Sequence, residues 1–357
     1  MFYFLVPAQQ NNLIKDYLSL WGRGLQDNFR IIQYEDLVQH KEFKQGVYVL
    51  CALDRLSPDL MQVTREIYQQ LQPLEGFRFL NNPDTLRRFD LLTELRRLGF
   101  NEFRAVRATG SLEGLRFPVF IREERDHQGA ISPLLGSQHE IYQALGKALI
   151  KGHDLANLLV IEFCDTSDKV GLYRKYAAYI VGDSIIAQSV DFGRHWMLKY
   201  TKTEVYPEFA HEELDFVMNN PHKKQLLEIF KLAQVDYGRI DYAIHEGKAQ
   251  TWEINLYPTI ETGLLELQPL RDQVRKHFYE EFERAWRTLD ISTPEGPAIR
   301  LNIKSETRGR DAVPGLRRKL SDRIITILLP AKHLIEPLIA PFLFIIGRLA
   351  HWIQHRV

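Results

Sequence analysis

The chain has 357 residues, 45% of them apolar, and its 46 Lys and Arg are balanced by 46 Asp and Glu. That length exceeds one ordinary core and calls for two or three packed units. A formal net charge of zero offers no global field for nucleic acid, so any charge-driven site is local.

The opening "MFYFLVPAQQ" is apolar but short and lacks a basic start, so it is expected to be a first strand and not a signal peptide. Helical spacing follows in "NLIKDYLSLWG", then the strands "FRIIQY" and "GVYVLCALD". "SPDLMQVTREIYQQL" begins a helix with Ser57 as N-cap and Pro58 at the first helical position. Strands separated by helices over residues 1–77 predict an α/β unit with a parallel sheet and crossovers. Residues 78–165 predict a second, α+β unit. Its helix "NNPDTLRRFDLLTELRRLGF" has Leu86, Phe89, Leu92 and Leu95 or Leu98 on one side, Arg87, Arg88, Arg96 and Arg97 elsewhere, and Gly99 as a stop. The strands "FRAVRA" and "FPVFIREE", a loop around "RDHQGA", a helix near 137–151 and the strand "NLLVIEF" complete it. Residues 166–290 hold strands about a Gly182–Asp183 turn, a helix near 222–234, a hairpin, and a helix near 264–288. Residues 291–357 form a basic linker and an apolar tail. The two cysteines, Cys51 and Cys164, lie in apolar strand-like runs as buried thiols of a reducing compartment, without the spacing of a disulfide framework or a metal site.

The hairpin "GRIDYAIHEGKAQTWEINLYP", residues 238–258, carries the chemistry. Side chains alternate faces along a strand. Arg239 and Asp241 therefore share one face of its first strand, and Glu253 and Asn255 share one face of its second. An odd-length loop, such as three residues that include Gly247, brings the two polar sets together; a two-residue loop opposes Asp241 to Trp252. Two carboxylates and an amide oxygen on one face suit a hard cation such as Mg²⁺, which leaves places for water and phosphate. Arg239 beside them suits a phosphate or a developing oxyanion. The same spacing also fits an exposed strand face with an Arg–carboxylate pair.

An Asp, 12 residues to a Glu, then an Asn two residues on, with Pro258 slightly late, resembles the closing signature of the ATP-grasp superfamily. That superfamily includes carboxylate–amine ligases such as D-alanine–D-alanine ligase and glutathione synthetase. Upstream, "LNNPDTLRRFDLLTELRRLGF" is similar to the family's opening helix, "FPVFIREERDHQGAISPLL" to its phosphate strand and glycine loop, and "LLVIEFCDT" to its interdomain strand. The resemblance covers about residues 78–262. It implies Mg²⁺ held by Asp241, Glu253 and Asn255, and ATP as cofactor. It also makes Arg239 the stabiliser of an acyl-phosphate intermediate. Two positions depart from the pattern: Leu91 follows Asp90 where the family has Lys, and Arg122 stands where the phosphate strand ends in Lys. Arg122 keeps a phosphate contact with a planar fork in place of a point charge, and Arg88 or Arg104 are the candidates to replace the other lysine.

Further residues have two readings each. His127 touches phosphate or substrate, or is a surface-loop histidine. Glu162 lies near adenine or ribose by the resemblance, or is an edge-strand charge. Asp165 and Asp168 reach ribose hydroxyls, or are solvated. Lys175, preferred to its neighbour Arg174, meets triphosphate or acceptor. Lys199, with Arg194, His195 and Trp196, meets an anionic substrate or lies in a solvated loop.

These readings give an α/β and α+β fold of ATP-grasp type and a ligase that activates a small-molecule or peptide carboxylate as acyl phosphate for attack by an amine. A nucleotide-binding protein with little turnover and a small-molecule kinase are the alternatives. The chain is expected to be cytoplasmic. Residues 297–323 are basic and the longest uncharged run after them, 337–347, is too short to span a bilayer. Residues 297–353 therefore lie in a membrane interface, or pack on the protein or on a second copy of it.

Overall fold

The structure, a computed structural model, describes residues 1–8, 13–37, 39, 42–126, 129–198, 209–260, 269–289 and 296–303. In chain order the elements are β1 (Phe2–Val6), α1 (Leu13–Leu20), β2 (Phe29–Gln33), β3 (Glu42–Phe43), β4 (Gly46–Leu50), α2 (Pro58–Leu71) and β5 (Phe77–Leu80). Next come α3 (Arg88–Arg97), β6 (Ala105–Arg107), β7 (Val119–Glu123), α4 (Gln138–Ile150) and β8 (Leu158–Glu162). The rest are β9 (Tyr173–Val181), β10 (Ser184–Gly193), α5 (Ala210–Asn219), α6 (Lys223–Ala233), β11 (Tyr237–His245), β12 (Lys248–Asn255), α7 (Pro269–Thr288) and β13 (Ile299–Arg300). Among the described residues no helix is long and apolar enough to cross a membrane.

The expected parallel sheet is present, in the order β2-β1-β4-β5. Its two central strands, FYFLV and GVYVL, are buried along their whole length, as strands covered on both faces must be. Ser57 caps α2 by accepting the Leu60 N–H, with Pro58 at the helix start. Cys51 and Cys164 are buried free thiols; burial pushes the Cys164 thiol up to about 11.

Two compact units emerge, Met1–Arg87 with Thr166–Arg308, and a second built on Arg88–Asp165. In the first, the parallel sheet shares a core with the antiparallel sheet β10-β9-β11-β12. Helix α7 supplies the wedge. Its Trp286 is fully buried and meets the rings of Phe2, Phe4, Phe29 and Tyr237, with centroids 5.1–5.5 Å apart. A polar clamp reinforces this core. Asn81, 1% exposed and at φ +66°, donates to the carbonyls of Leu50 (3.0 Å) and Tyr237 (2.8 Å) and accepts from the N–H groups of Asp236 and Tyr237. One side chain thus ties the end of β4 to the start of β11.

In the second unit, α4 covers one face of the antiparallel sheet β6-β8-β7 through Ile141, Leu145 and Ala148 against Val119, Ile121 and Val160. The helix expected from Leu86 onward starts only at Arg88, because residues 81–87 are spent on turns and the Asn81 clamp. Leu91, Leu92 and Leu95 form its buried side, while Leu98 lies beyond its end and is 45% exposed. Arg88, expected on the polar side, is buried. Gly99 does stop the helix, at φ +77°, as the Phe100 N–H returns to the Leu95 carbonyl.

Replacing Asn81 by Ala removes four hydrogen bonds and strands buried backbone groups. The expected loss is about 2–4 kcal/mol, read as a lowered urea midpoint; a change below measurement error would refute the clamp.

Candidate metal and nucleotide site

Gly247 sits in a two-residue turn, Glu246–Gly247, with both residues left-handed at φ +49° and +78°. This corrects the expected three-residue loop: paired left-handed residues match the twist of the flanking strands. The turn by itself would oppose Asp241 to Trp252. The register, however, shifts between Asp241 and Tyr242: Tyr242 pairs with Thr251, but Asp241 pairs with Glu253. Trp252 is thus an extra residue, a β-bulge that restores the parity the turn would have lost. Asp241 lies directly opposite Glu253, and Arg239 directly opposite Asn255, so all four share one face. Gly238 allows the strands to meet here; a Cβ on it would stand 2.9 Å from the Asn255 carbonyl oxygen.

The face continues onto β9, where Tyr179 opposes Arg239 and Ala177 opposes Asp241. Two residues along lies Lys175, opposed by Asp191 on β10, with Nζ 2.8 Å from the Asp191 carboxylate. Arg239 meets Asp241 side-on, its Nε donating to Oδ1 at 2.8 Å and its terminal nitrogen to Oδ2 at 3.3 Å. Burial alone would depress the pKa of both cations. For Arg239 the charges of Asp241 and its other neighbours together with the Asp241 hydrogen bonds outweigh it, and for Lys175 the charges of Asp241 and Asp191 with the Asp191 hydrogen bond do, so both stay firmly charged.

Asp241, Glu253 and Asp191 set three carboxylates against the two cations Arg239 and Lys175 on this face. Opposed like charges across a ladder are unfavourable, and two facing carboxylates with an amide oxygen beside them fit a hard divalent cation. Asp241, 7% exposed, and Glu253 can supply one. Asn255 already uses its amide oxygen to accept the Tyr257 N–H at 3.0 Å, a local turn that directs the chain after β12 back to the core; the oxygen's second lone pair is what it can offer a ligand.

The second unit has its own polar cluster. Arg122 is buried on β7 and shares a face with Phe120, Leu159 and Arg107, away from α4. Arg107 pairs with Glu124 at 2.8 Å and lies over the Phe89 ring at 4.2 Å. Arg88 donates to the carbonyls of Glu123, Glu124 and Asp126, fixing the start of the glycine loop. Glu162 ends the central strand β8, so it is no edge-strand charge. Its two oxygens accept the backbone N–H groups of Arg104 and Arg116, at 3.1 and 2.9 Å. His127 and Lys199 lie outside the described residues.

Arg174, next to Lys175, points elsewhere. It bridges Asp168 at 2.7 Å and Glu212 at 2.6 Å, which makes it a strut between the loop before β9 and α5. Asp168 is occupied by it and by the N–H groups of Val170 and Leu172. Arg194 donates to the Val170 carbonyl, and His195 closes a local turn with Met197. Sequence reasoning missed Asp191 and Arg107, and it offered Arg88 as a stand-in for a phosphate lysine where the structure has it serving main-chain carbonyls. Counting outward from the Gly182–Asp183 turn misses Asp191 by one residue, because Gln188 forms a second bulge. Arg88 and Arg107 gave only the signal of arginines among apolar neighbours.

No protein-family model and no curated protein matches the chain. Among solved structures it is similar to the D-alanine–D-alanine ligase of Bacillus anthracis, at 13% identity, 80% of this chain, 97% of that one and a TM-score of 0.45. It is also similar to the L-amino acid ligase of Bacillus licheniformis (10% identity, 71% and 66% of the chains, TM-score 0.37). A third is the macrocyclase MdnC of Microcystis aeruginosa, bound with precursor peptide MdnA (13%, 78% and 98%, TM-score 0.42). The fold resembles that of ATP-grasp ligases.

The strut beside the site gives a pH dependence. Hydrogen bonds from Arg174, then from Leu172 N–H, hold the Asp168 carboxyl down from 3.8 to about 2. A depressed carboxyl stabilises the fold above its unfolded value and loses that contribution as pH falls through its folded one. Wild type is therefore expected to lose stability between pH 3.8 and about 2 more steeply than Asp168→Asn in denaturation midpoints taken across that range. Parallel curves would refute the strut.

Proposed function

We propose that the chain is an ATP- and Mg²⁺-dependent ligase that joins a carboxylate to an amine or similar nucleophile. The observation that carries this reading is the direct opposition of Asp241 and Glu253, with Asn255 and Arg239 on the same face. Such a set of oxygens beside a guanidinium suits a nucleotide's phosphates and a reacting anion together. Mg²⁺ bound there would neutralise phosphate oxygens of ATP. Asp241 and Glu253 would hold the ion, and the second lone pair of the Asn255 amide oxygen would be a third donor.

In the reaction a carboxylate oxygen of the acyl donor attacks the terminal phosphorus of ATP, and ADP leaves. The amine then attacks the acyl carbon, loses a proton, and expels phosphate. Arg239 offsets charge on the reacting oxygens as it develops, and Lys175, kept protonated by its acidic neighbours, offers a second positive group on the same face. The substrates are a small-molecule or peptide carboxylate and amine.

The test is purified protein with Mg·ATP and pooled carboxylates and amines, reading ADP, phosphate and product mass. Ligation requires both substrates and leaves no phosphate on the product. A phosphorylated product makes the chain a kinase, and affinity without ADP makes it a binding module. Asp241→Asn and Glu253→Gln are each expected to lower Mg²⁺-dependent ADP release by about 10²-fold or more. Full activity in both refutes the metal assignment.

A further inference from the structure

Both oxygens of Asp241 accept hydrogen bonds from Arg239, yet Asp241 is one of the two acids that would bind the cation. The pair is mostly buried, with the Asp241 side chain 10% exposed and that of Arg239 21%. Water therefore screens it little, and a divalent ion on those oxygens would repel a guanidinium still seated there. The geometry leaves little give, since Arg239 and Asp241 are two apart on one strand, held between β9 and β12. Lys175 also feels the charge of Asp241, but its ammonium is bonded to Asp191, so it is Arg239 that sits on the Asp241 oxygens.

We infer that Arg239 is a resident counter-cation of the metal site: it competes with the divalent ion for Asp241, and loading of the site releases its guanidinium toward the anionic reactant. This rests on the metal reading proposed above and adds an order of events to it. Before loading, Arg239 neutralises the opposed pair Asp241 and Glu253 and keeps the bulged hairpin in register. After loading, the ion takes over that neutralisation, and the forked donor becomes available. The arginine thus turns toward a reacting anion once the phosphate-binding charge is in place.

The experiment is Mn²⁺ binding to the full chain without nucleotide, followed by the paramagnetic resonance signal of the free ion. Wild type, Arg239→Lys, Arg239→Gln and Asp241→Asn are compared. Lysine keeps the charge but cannot bridge both oxygens, so through-space repulsion alone leaves Arg239→Lys at the wild-type affinity. Competition for the oxygens makes Arg239→Lys bind about tenfold tighter than wild type, and Arg239→Gln at least as tightly, the size expected for losing a charge-assisted hydrogen bond. Equal affinity of wild type and Arg239→Lys overturns the inference. If Asp241→Asn binds Mn²⁺ as wild type does, the metal reading itself fails and the inference with it; if only that variant loses binding while Arg239→Lys is unchanged, the inference fails alone. A second readout needs no variant. Phenylglyoxal labelling of Arg239 in wild type, followed by peptide mass, is expected to rise with Mn²⁺; labelling indifferent to Mn²⁺ refutes the release.

Discussion

Two carboxylates face each other across an antiparallel ladder, and the surroundings are arranged to make that tolerable. Opposed like charges destabilise a strand pair, so the pairing of Asp241 with Glu253 persists only with positive charge beside it. Arg239 is seated on Asp241, and Lys175 is held charged nearby by Asp191 and Asp241. The bulge at Trp252 is the backbone half of the same arrangement. Without it, the tight turn at Glu246–Gly247 would carry Glu253 and Asn255 to the opposite face.

Precision of that kind needs a rigid support, and the first unit supplies it from distant stretches of chain. Strand β11 is anchored at its start by Asn81, from the connection after β5. The sheet is backed by α7, whose Phe278 and Phe282 meet Tyr179, the residue opposite Arg239. Trp286 of the same helix reaches into the parallel sheet. The N-terminal α/β segment and the hairpin therefore share one hydrophobic core, and disturbance at either end is felt along the strand that carries the acids. On the far side of the sheet, His222 accepts or donates at the Tyr242 hydroxyl at 2.8 Å and meets Tyr176 edge-on. Burial lowers its pKa, so the imidazole favours the neutral form in that aromatic setting.

The second unit uses its charges differently. Arg88 serves three carbonyls and Glu162 serves two backbone N–H groups. Both side chains satisfy buried main-chain groups that regular structure leaves open, holding residues 123–126 and the segment before β7 in place. Arg122 and Arg107 share the sheet face away from α4, Arg107 held by Glu124 and the Phe89 ring.

Local chemistry was enough to read much of this from the sequence. Strand-and-helix alternation gave the parallel sheet, Ser57 and Pro58 gave the start of α2, and two-residue periodicity placed Arg239 with Asp241 and Glu253 with Asn255, because each depends only on neighbours in the chain. The ladder register lay outside such reasoning. Whether an extra residue is bulged, as at Trp252 and Gln188, depends on how β9, β11 and β12 pack against each other and α7, so the right alignment of acids was reached through the wrong turn. The same holds for Asp191 beside Lys175 and for the Asn81 clamp, whose partners lie up to 156 positions away. Sequence determined which side chains share a face of their own strand, since that follows from the pleat. Tertiary structure alone decided which strands meet, in what register, and which cation sits on which acid, since those are set by long-range burial and charge.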